Sequence, residues 1–401
     1  MFNKRINYKE QTGGKLLGSG GYGCVFRPSI ACDDGKYSSP SNKYISKVVS
    51  NKNIESEFEN INTFKLNEID PNQRFIVYPV ENCGEPVNID IDDHEKCKKS
   101  TGDDIDIDGG DEIYNNLIQR YSGKTLDAVR KENPVNDIKK SLLLYLDLFK
   151  GVLLLNVNNL AHRDLKPGNI VIDDTGKLRI IDLSLLESTK KPFLHSIEND
   201  FNNPEEYLYW DVCFNALTTY PNGGYYKKIG IDVDEKDNNR DKLLILIEYA
   251  DKFCEKFKGI ADTNATLLTG LFQSCIKFLV DIFIHKNIVD KHENLDDIIQ
   301  SKFDLFMIGI VLLNDITFYK NRSGSDKIDN FLEEFKYLIE AMVDIHVIDR
   351  PSLKTVIEMY MELLNKFNDE LNIRPDVLET AQRDIDYILK NKKAPDEDKD
   401  S

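Results

Sequence analysis

"LAHRDLKPGNIVI", residues 160–172, gathers His162, Arg163, Asp164, Lys166 and Asn169 into one short turn with apolar residues on both sides. Pro167 and Gly168 fix the path of the chain between them. Such a turn is either a solvated surface loop or a place where a carboxylate, an ammonium and an amide are collected for chemistry. Asp164 can accept a hydrogen bond from a substrate hydroxyl and align it for in-line attack. Lys166 can neutralise a transferring phosphoryl group, and Asn169 can hold a metal ion. The surrounding chain decides between the two readings.

Immediately before the turn, "NDIKKSLLLYLDLFKGVLLLNVNN" (136–159) predicts a long helix whose wide apolar face suits a domain interior. Immediately after it, "NIVIDD" (169–174) and "KLRIID" (177–182) predict short strands around the Thr175-Gly176 turn. The N-terminal part reads differently. "KLLGSGGYGCVF" (15–26) is strand, glycine turn, strand, and "KYISKVVS" (43–50) is a β-branched strand. "NIESEFENINTFKLNEID" (53–70) carries apolar residues at Ile54, Phe58, Ile61, Phe64 and Leu66, a helical period that ends before Asp70-Pro71. "RFIVYPV" (74–80) and "EIYNNLIQRY" (112–121) predict two further strands. From 135 onward helices dominate, and no internal repeat is visible. The expected class is α+β, a small sheet-rich half followed by a larger helical one.

Bulk properties narrow the function classes. At 401 residues, with 41% hydrophobic, 10% aromatic and 30% charged content, the chain can bury one large two-lobed core or two to three small ones. A net charge of −17 argues against nucleic acid as the main partner, because phosphate binding needs a basic face. No apolar run is long enough to span a bilayer, and the N-terminus lacks a signal peptide's apolar segment, so a soluble, cytoplasmic protein with no membrane partner is expected. The seven scattered cysteines predict reduced thiols and no disulfide framework. Cys83, His94 and Cys97 have no fourth ligand at a recognisable spacing, so a metal site there is not expected. The acidic stretch 88–112, within an insertion at 81–112, and the terminal "APDEDKDS" read as solvated surface.

More pieces of the same chemistry stand at a distance from the turn. "LGSGGYGCV" (17–25) offers Gly18, Gly20 and Gly23, where the lack of Cβ lets a backbone approach phosphates. A glycine loop of this form also marks dinucleotide sites and ordinary turns. Here a strand-like "CVFRP" follows it where a dinucleotide fold requires a helix. Lys47, centred in an apolar strand, is either an edge charge or a phosphate ligand. As a ligand it needs an orienting carboxylate from the next helix, which offers Glu55, Glu57 and Glu59. Glu57 fits best, at the rim of the buried stripe, with Glu59 next. Asp182 ends a buried apolar strand, where an isolated carboxylate is costly; Mg²⁺ bridging phosphates is the natural cation.

In this order and at these separations the pieces resemble the motif set of eukaryotic-type protein kinases. The matching residues are Gly18-Ser19-Gly20-Gly21-Tyr22-Gly23-Cys24-Val25, Lys47, His162 to Asn169, and Asp182-Leu183-Ser184. "DLKPGN" is similar to the serine/threonine subgroup. The resemblance implies an antiparallel N-lobe over 1–120, a helical C-lobe over 121–372, and a C-terminal helix and acidic tail over 373–401. It implies nucleotide binding by Leu17 to Val25, by Lys47 with Glu57, and by the backbone of Arg120 and Ser122 in the hinge-like "LIQRYSGKTL", beside Gln119. Catalysis would rest on Asp164, Lys166 and Asn169, and the metal on Asn169 and Asp182. "FDLFMIGIVLL" (303–313) looks like the buried central helix of the large lobe, with Asp304 bracing the catalytic turn. "MVDIHVIDRPSLKTVIE" (342–358) looks like the closing helices, with Arg350 paired to a glutamate at the end of the activation segment. Arg163 is of the type that receives an activation-segment phosphate, with Ser188, Thr189 and Ser196 as donors.

The match has departures. Asp182-Leu183-Ser184 replaces the usual Asp-Phe-Gly, and losing the glycine restricts the backbone there. No Ala-Pro-Glu is present; Pro204-Glu205 in "NNPEEYLYW" is the nearest candidate for the partner of Arg350. An insertion at about 206–300 holds two helical patterns, "DKLLILIEYADKFCEKF" and "TLLTGLFQSCIKFLVDIFIHK", and either docks a partner or decorates the lobe. The interrupted lobe, acidic insertions and abundance of Asn, Asp, Ile and Lys are similar to protein kinases of large DNA viruses, which would put the protein in the host cytoplasm or the virion. The expected function is ATP- and Mg²⁺-dependent phosphorylation of a serine or threonine of a protein substrate. A pseudokinase scaffold and a kinase-like enzyme acting on small molecules are the alternatives.

Overall fold

The structure is a computed structural model and describes residues 14–20, 23–32, 37, 39–84, 114–132, 138–190, 295–320 and 326–390, with scattered positions between 247 and 280. The chain divides into two compact units. The first is residues 1–124 with 171–175 and 179–185, and the second holds the remainder.

The first unit is built on a five-stranded antiparallel sheet in the order β1-β2-β3-β5-β4. The strands are β1 (Lys15–Gly20), β2 (Gly23–Arg27), β3 (Tyr44–Ser50), β4 (Pro79–Asn82) and β5 (Tyr114–Arg120). β3 lies at the centre and sets Lys47 opposite Val25 on one side and Leu117 on the other. Between β3 and β4 come helices α1 (Asn51–Thr63) and α2 (Leu66–Ile69). The single helix expected over 53–70 is therefore two, broken where Lys65 takes a left-handed backbone (φ 52°).

The strand expected over 74–80 is also corrected: pairing is confined to Pro79–Asn82 and an isolated bridge from Ile76 to Ile180. The cause is Asp70. Its carboxylate accepts the amides of Arg74, Phe75 and Ile76 at 2.8, 2.7 and 2.9 Å, which bends the segment around the side chain. The reduced-thiol expectation is corrected too. Cys32 and Cys83, 51 residues apart, form a disulfide with Cα atoms 5.3 Å from each other, packed against Tyr37, Tyr44 and Ile118. Cys83 is thereby removed from any metal site with His94 and Cys97, which lie outside the described residues together with the acidic stretch 88–112.

After the two-residue β6 (Lys124–Thr125), the second unit is mostly helical: α3 (Leu126–Glu132), α4 (Ile138–Val157), α5 (Leu295–Lys320), α6 (Asp326–Met342), α7 (Leu353–Lys366), α8 (Asn368–Leu371) and α9 (Pro375–Lys390). α4 and α5 are the long helices read from the sequence, and the residues of α5 from Phe303 to Leu313 are buried without a break. Gly309 is what allows that, for a Cβ there would fall 2.6 Å from Val343 Cγ1. Tyr145, Phe149, Phe331, Phe335, Tyr360 and Phe367 stack into an aromatic core. The Tyr360 hydroxyl donates to the Leu142 carbonyl at 2.6 Å, satisfying the polar end of a fully buried ring. α9 is joined to α4 by buried Lys150, which bridges Asp147 at 2.7 Å and Asp384 at 3.3 Å. Short strands complete the description: β7 (Leu160–Ala161), β8 (Ile170–Ile172), β9 (Leu178–Ile180) and β10 (Glu187–Ser188).

The fold is thus α+β, a kinase-like division into an antiparallel N-terminal sheet and a helical second part. In the 206–300 insertion the described positions, among them Ile247, Ala250 and Gln273 to Lys277, are helical. No helix among the described residues is long and apolar enough to cross a membrane.

Candidate active site

In the first unit the Lys47 ammonium lies 2.6 Å from Glu57 Oε2 and 3.0 Å from Asp182 Oδ1. Of the three glutamates of α1, Glu57 is 2% exposed and Glu59 faces solvent, while the side chain of Glu55 lies outside the described residues. Burial opposes the charge on Lys47, but Asp182 and Glu57 outweigh it and hold its pKa above 10.5. Burial pushes Glu57 up from its ordinary range, with Lys47 pulling the other way. A cation shared by two acids is stable in such a place only with this contact geometry.

Two side chains that the sequence reading left without a role support the cluster. Asn60, one helical turn beyond Glu57, donates to the Leu183 carbonyl at 3.0 Å and ties α1 to the segment carrying Asp182. Ser184 donates its hydroxyl to Asp182 Oδ1 at 3.2 Å. Asp182 itself has a left-handed backbone (φ 65°), uncommon for a residue with a Cβ and characteristic of functional turns.

The glycine hairpin spans β1 and β2, with Gly21 and Tyr22 outside the described residues. Gly23 has a structural reason to be glycine: its φ is +153° and a Cβ would fall 2.2 Å from the Val48 carbonyl oxygen. Gly18 has none, because a Cβ there meets nothing within 4 Å. Leu17, Gly18 and Ser19 are exposed, Val25 is half-buried, and the Cys24 side chain is buried against Phe26, Ile30 and Val48. At the far end of β5, Arg120 is exposed, whereas Gln119 and Ser122 are buried. The Ser122 hydroxyl makes a long 3.5 Å contact to the Arg120 carbonyl.

In the second unit the quoted turn folds around Asp164, which is 4% exposed. Its Oδ2 accepts Lys166 Nζ at 2.9 Å and Asn169 Nδ2 at 2.7 Å, and its carbonyl accepts Asn169 Nδ2 at 2.9 Å. Pro167 opens a 3₁₀ turn, Pro167–Asn169, that brings Asn169 back over Asp164. Beneath the turn, Asp304 of α5 accepts the amides of His162 at 2.7 Å and Arg163 at 2.9 Å. Burial raises the Asp304 carboxyl above its ordinary range, while His162 and the two amides favour its ionised form. His162 is fully buried, and its Nδ1 accepts the Asp164 amide at 3.2 Å, a structural duty. Arg350, 1% exposed, donates to the carbonyls of Asp344 and Lys302. Its expected partner Glu205 lies outside the described residues.

The donor chemistry fits magnesium and a phosphate chain. Among the described residues no group of three or more His, Cys, Asp or Glu could by itself hold a metal ion, and Mg²⁺ is the cation that needs few protein ligands, since it keeps water and phosphate oxygens. Asp182 offers a carboxylate with 19% of its side chain exposed. Asn169 commits its amide nitrogen to Asp164, which leaves its carbonyl oxygen for a cation.

No protein-family model matches the chain. Among curated proteins, a probable serine/threonine-protein kinase MRK1 homolog of Encephalitozoon cuniculi is 29% identical over 98 residues, 24% of this chain and 31% of that protein. Mitogen-activated protein kinase 12 of Danio rerio is 27% identical over 108 residues, 27% of this chain and 29% of the relative. Eukaryotic translation initiation factor 2-alpha kinase PK4 of Plasmodium falciparum is 33% identical over 170 residues, 35% of this chain and 5% of the relative. The chain thus matches less than a third of the length of these relatives. At low identity and over part of its length, it is similar to eukaryotic serine/threonine protein kinases.

Proposed function

We propose that the chain is an ATP-dependent protein kinase that phosphorylates serine or threonine of a protein substrate with Mg²⁺. The observation that carries this reading is the Lys47 ammonium fixed between Glu57 and Asp182, a geometry suited to gripping the α and β phosphates. Asp164 orients the acceptor hydroxyl and takes its proton, and Lys166 stabilises the γ-phosphoryl group. Asn169 and Asp182 hold Mg²⁺, which when bound offsets negative charge on the phosphates. The open space at Gly18 supports a backbone approach to the nucleotide, and the backbone of Arg120 and Ser122 is proposed to bond the adenine. The composition and the interrupted second half support a viral origin, with action in the host cytoplasm or the virion.

Incubation with γ-labelled ATP, Mg²⁺ and a mixture of basic proteins and small hydroxyl acceptors tests the proposal. Label on serine or threonine is expected. Label confined to small acceptors, or none despite nucleotide binding, contradicts it.

A further inference from the structure

Arg163 is 3% exposed, and its backbone is held in the left-handed region (φ 66°) one residue before Asp164. A buried guanidinium needs an anion, and a strained residue needs something to hold it there. Asp304 holds the main chain, through the Arg163 amide. The other carboxylate acting on the guanidinium belongs to Glu187.

A short ladder fastens Glu187 to the strand that leads into Arg163. β10 pairs antiparallel with β7, setting Glu187 opposite Ala161, two residues before Arg163. The pairing continues as the Thr189 amide bonds the Asn159 carbonyl at 2.8 Å. Glu187 Oε1 also accepts the Ser188 amide at 2.8 Å, which fixes its carboxylate. Burial draws the guanidinium down to about 10, with Glu187 and then Asp304 opposing, so it stays charged at neutral pH.

We infer that Glu187 is a positioning residue that holds Arg163, and through it Asp164, so that this turn needs no phosphate on the segment that follows Asp182. The inference rests on the phosphotransfer reading and adds the regulation of that site. The neighbouring hydroxyls agree with it. Thr189 is buried, Ser188 Oγ already accepts the Lys190 amide, and a phosphate on either would stand next to the carboxylate of Glu187.

The test compares wild type, Glu187→Gln and Glu187→Asp in steady-state phosphotransfer, before and after phosphatase treatment. Glu187→Gln is expected to lower kcat at least tenfold with KM for ATP within twofold, and Glu187→Asp to recover most of it. Wild type should keep its activity after phosphatase treatment. Full activity in Glu187→Gln, or a tenfold loss in phosphatase-treated wild type, overturns the inference. Thermal melts of Arg163→Met, Glu187→Gln and the double variant give a readout independent of catalysis. The double is expected to melt no lower than Arg163→Met alone, and additive losses overturn the pairing. An inactive wild type with coupled melts would instead overturn the kinase reading and leave the pairing in place.

Discussion

Lys47 meets Asp182 across 135 residues of chain, whereas Asp164 finds Lys166 two residues on and Asn169 five residues on. The first cluster is assembled by tertiary structure: a central strand, a helix fastened through Asn60, and a left-handed turn at Asp182. The second is assembled by a local turn and rests on α5, where Asp304, 142 residues on from His162, accepts the amide of that histidine. One cluster is therefore lost when packing loosens, the other when its support is removed. Chemistry that needs both depends on two different kinds of stability.

Lys47→Met should have the largest effect short of the acid itself, because it leaves buried Glu57 and half-buried Asp182 without their shared cation. A loss of about 3 kcal/mol in stability and about 10²–10³-fold in phosphotransfer is expected. The pH dependence follows from the raised pKa of Lys47. Its contribution is full below 10.5 and is lost as pH rises through the folded-state value. The gap in Tm between wild type and Lys47→Met should therefore stay constant from about pH 6 to 9 and narrow above 10.5. A gap that opens with rising pH would break the proposed division between the clusters.

Asp304→Asn should act on the second cluster alone. One of the two supported amides loses its acceptor, at about 1–3 kcal/mol, and the displaced Asp164 lowers kcat by about 10–100-fold. Affinity for ATP, measured by titration, should be unchanged; an equal loss of both would mean that Asp304 only stabilises the fold. The smallest effect on turnover is expected from Cys83→Ser. It should lower Tm by an amount equivalent to about 2–4 kcal/mol under non-reducing conditions, with turnover within about twofold of wild type. A reductant should abolish the difference in Tm, and a Tm gap that survives reduction would argue against the cross-link.

The contrast also explains what the sequence could tell. Asp164, Lys166 and Asn169 are legible because their partners lie within one turn, and a Pro-Gly pair announces that turn. Glu57 was recognisable among its neighbours because a helix places it beside the stripe of Phe58 and Ile61. The capture of three amides by Asp70 was not legible, since nothing in "RFIVYPV" shows that its amides are already taken. Nor was the Cys32–Cys83 pair, because odd and scattered cysteines carry no pairing rule. Ser184 was legible only as a departure from the Asp-Phe-Gly motif; its bond to Asp182 needed coordinates. Glu187 carried no signal, because a two-residue strand leaves no periodicity to read.

The most direct test of the account is Asp164→Asn, assayed in parallel for transfer of labelled phosphate to protein and for ATP binding. Transfer should fall by about 10³-fold or more, while the Kd for ATP stays within about threefold of wild type. A variant that turns over within tenfold of wild type would contradict the assignment of the proton-accepting role to Asp164.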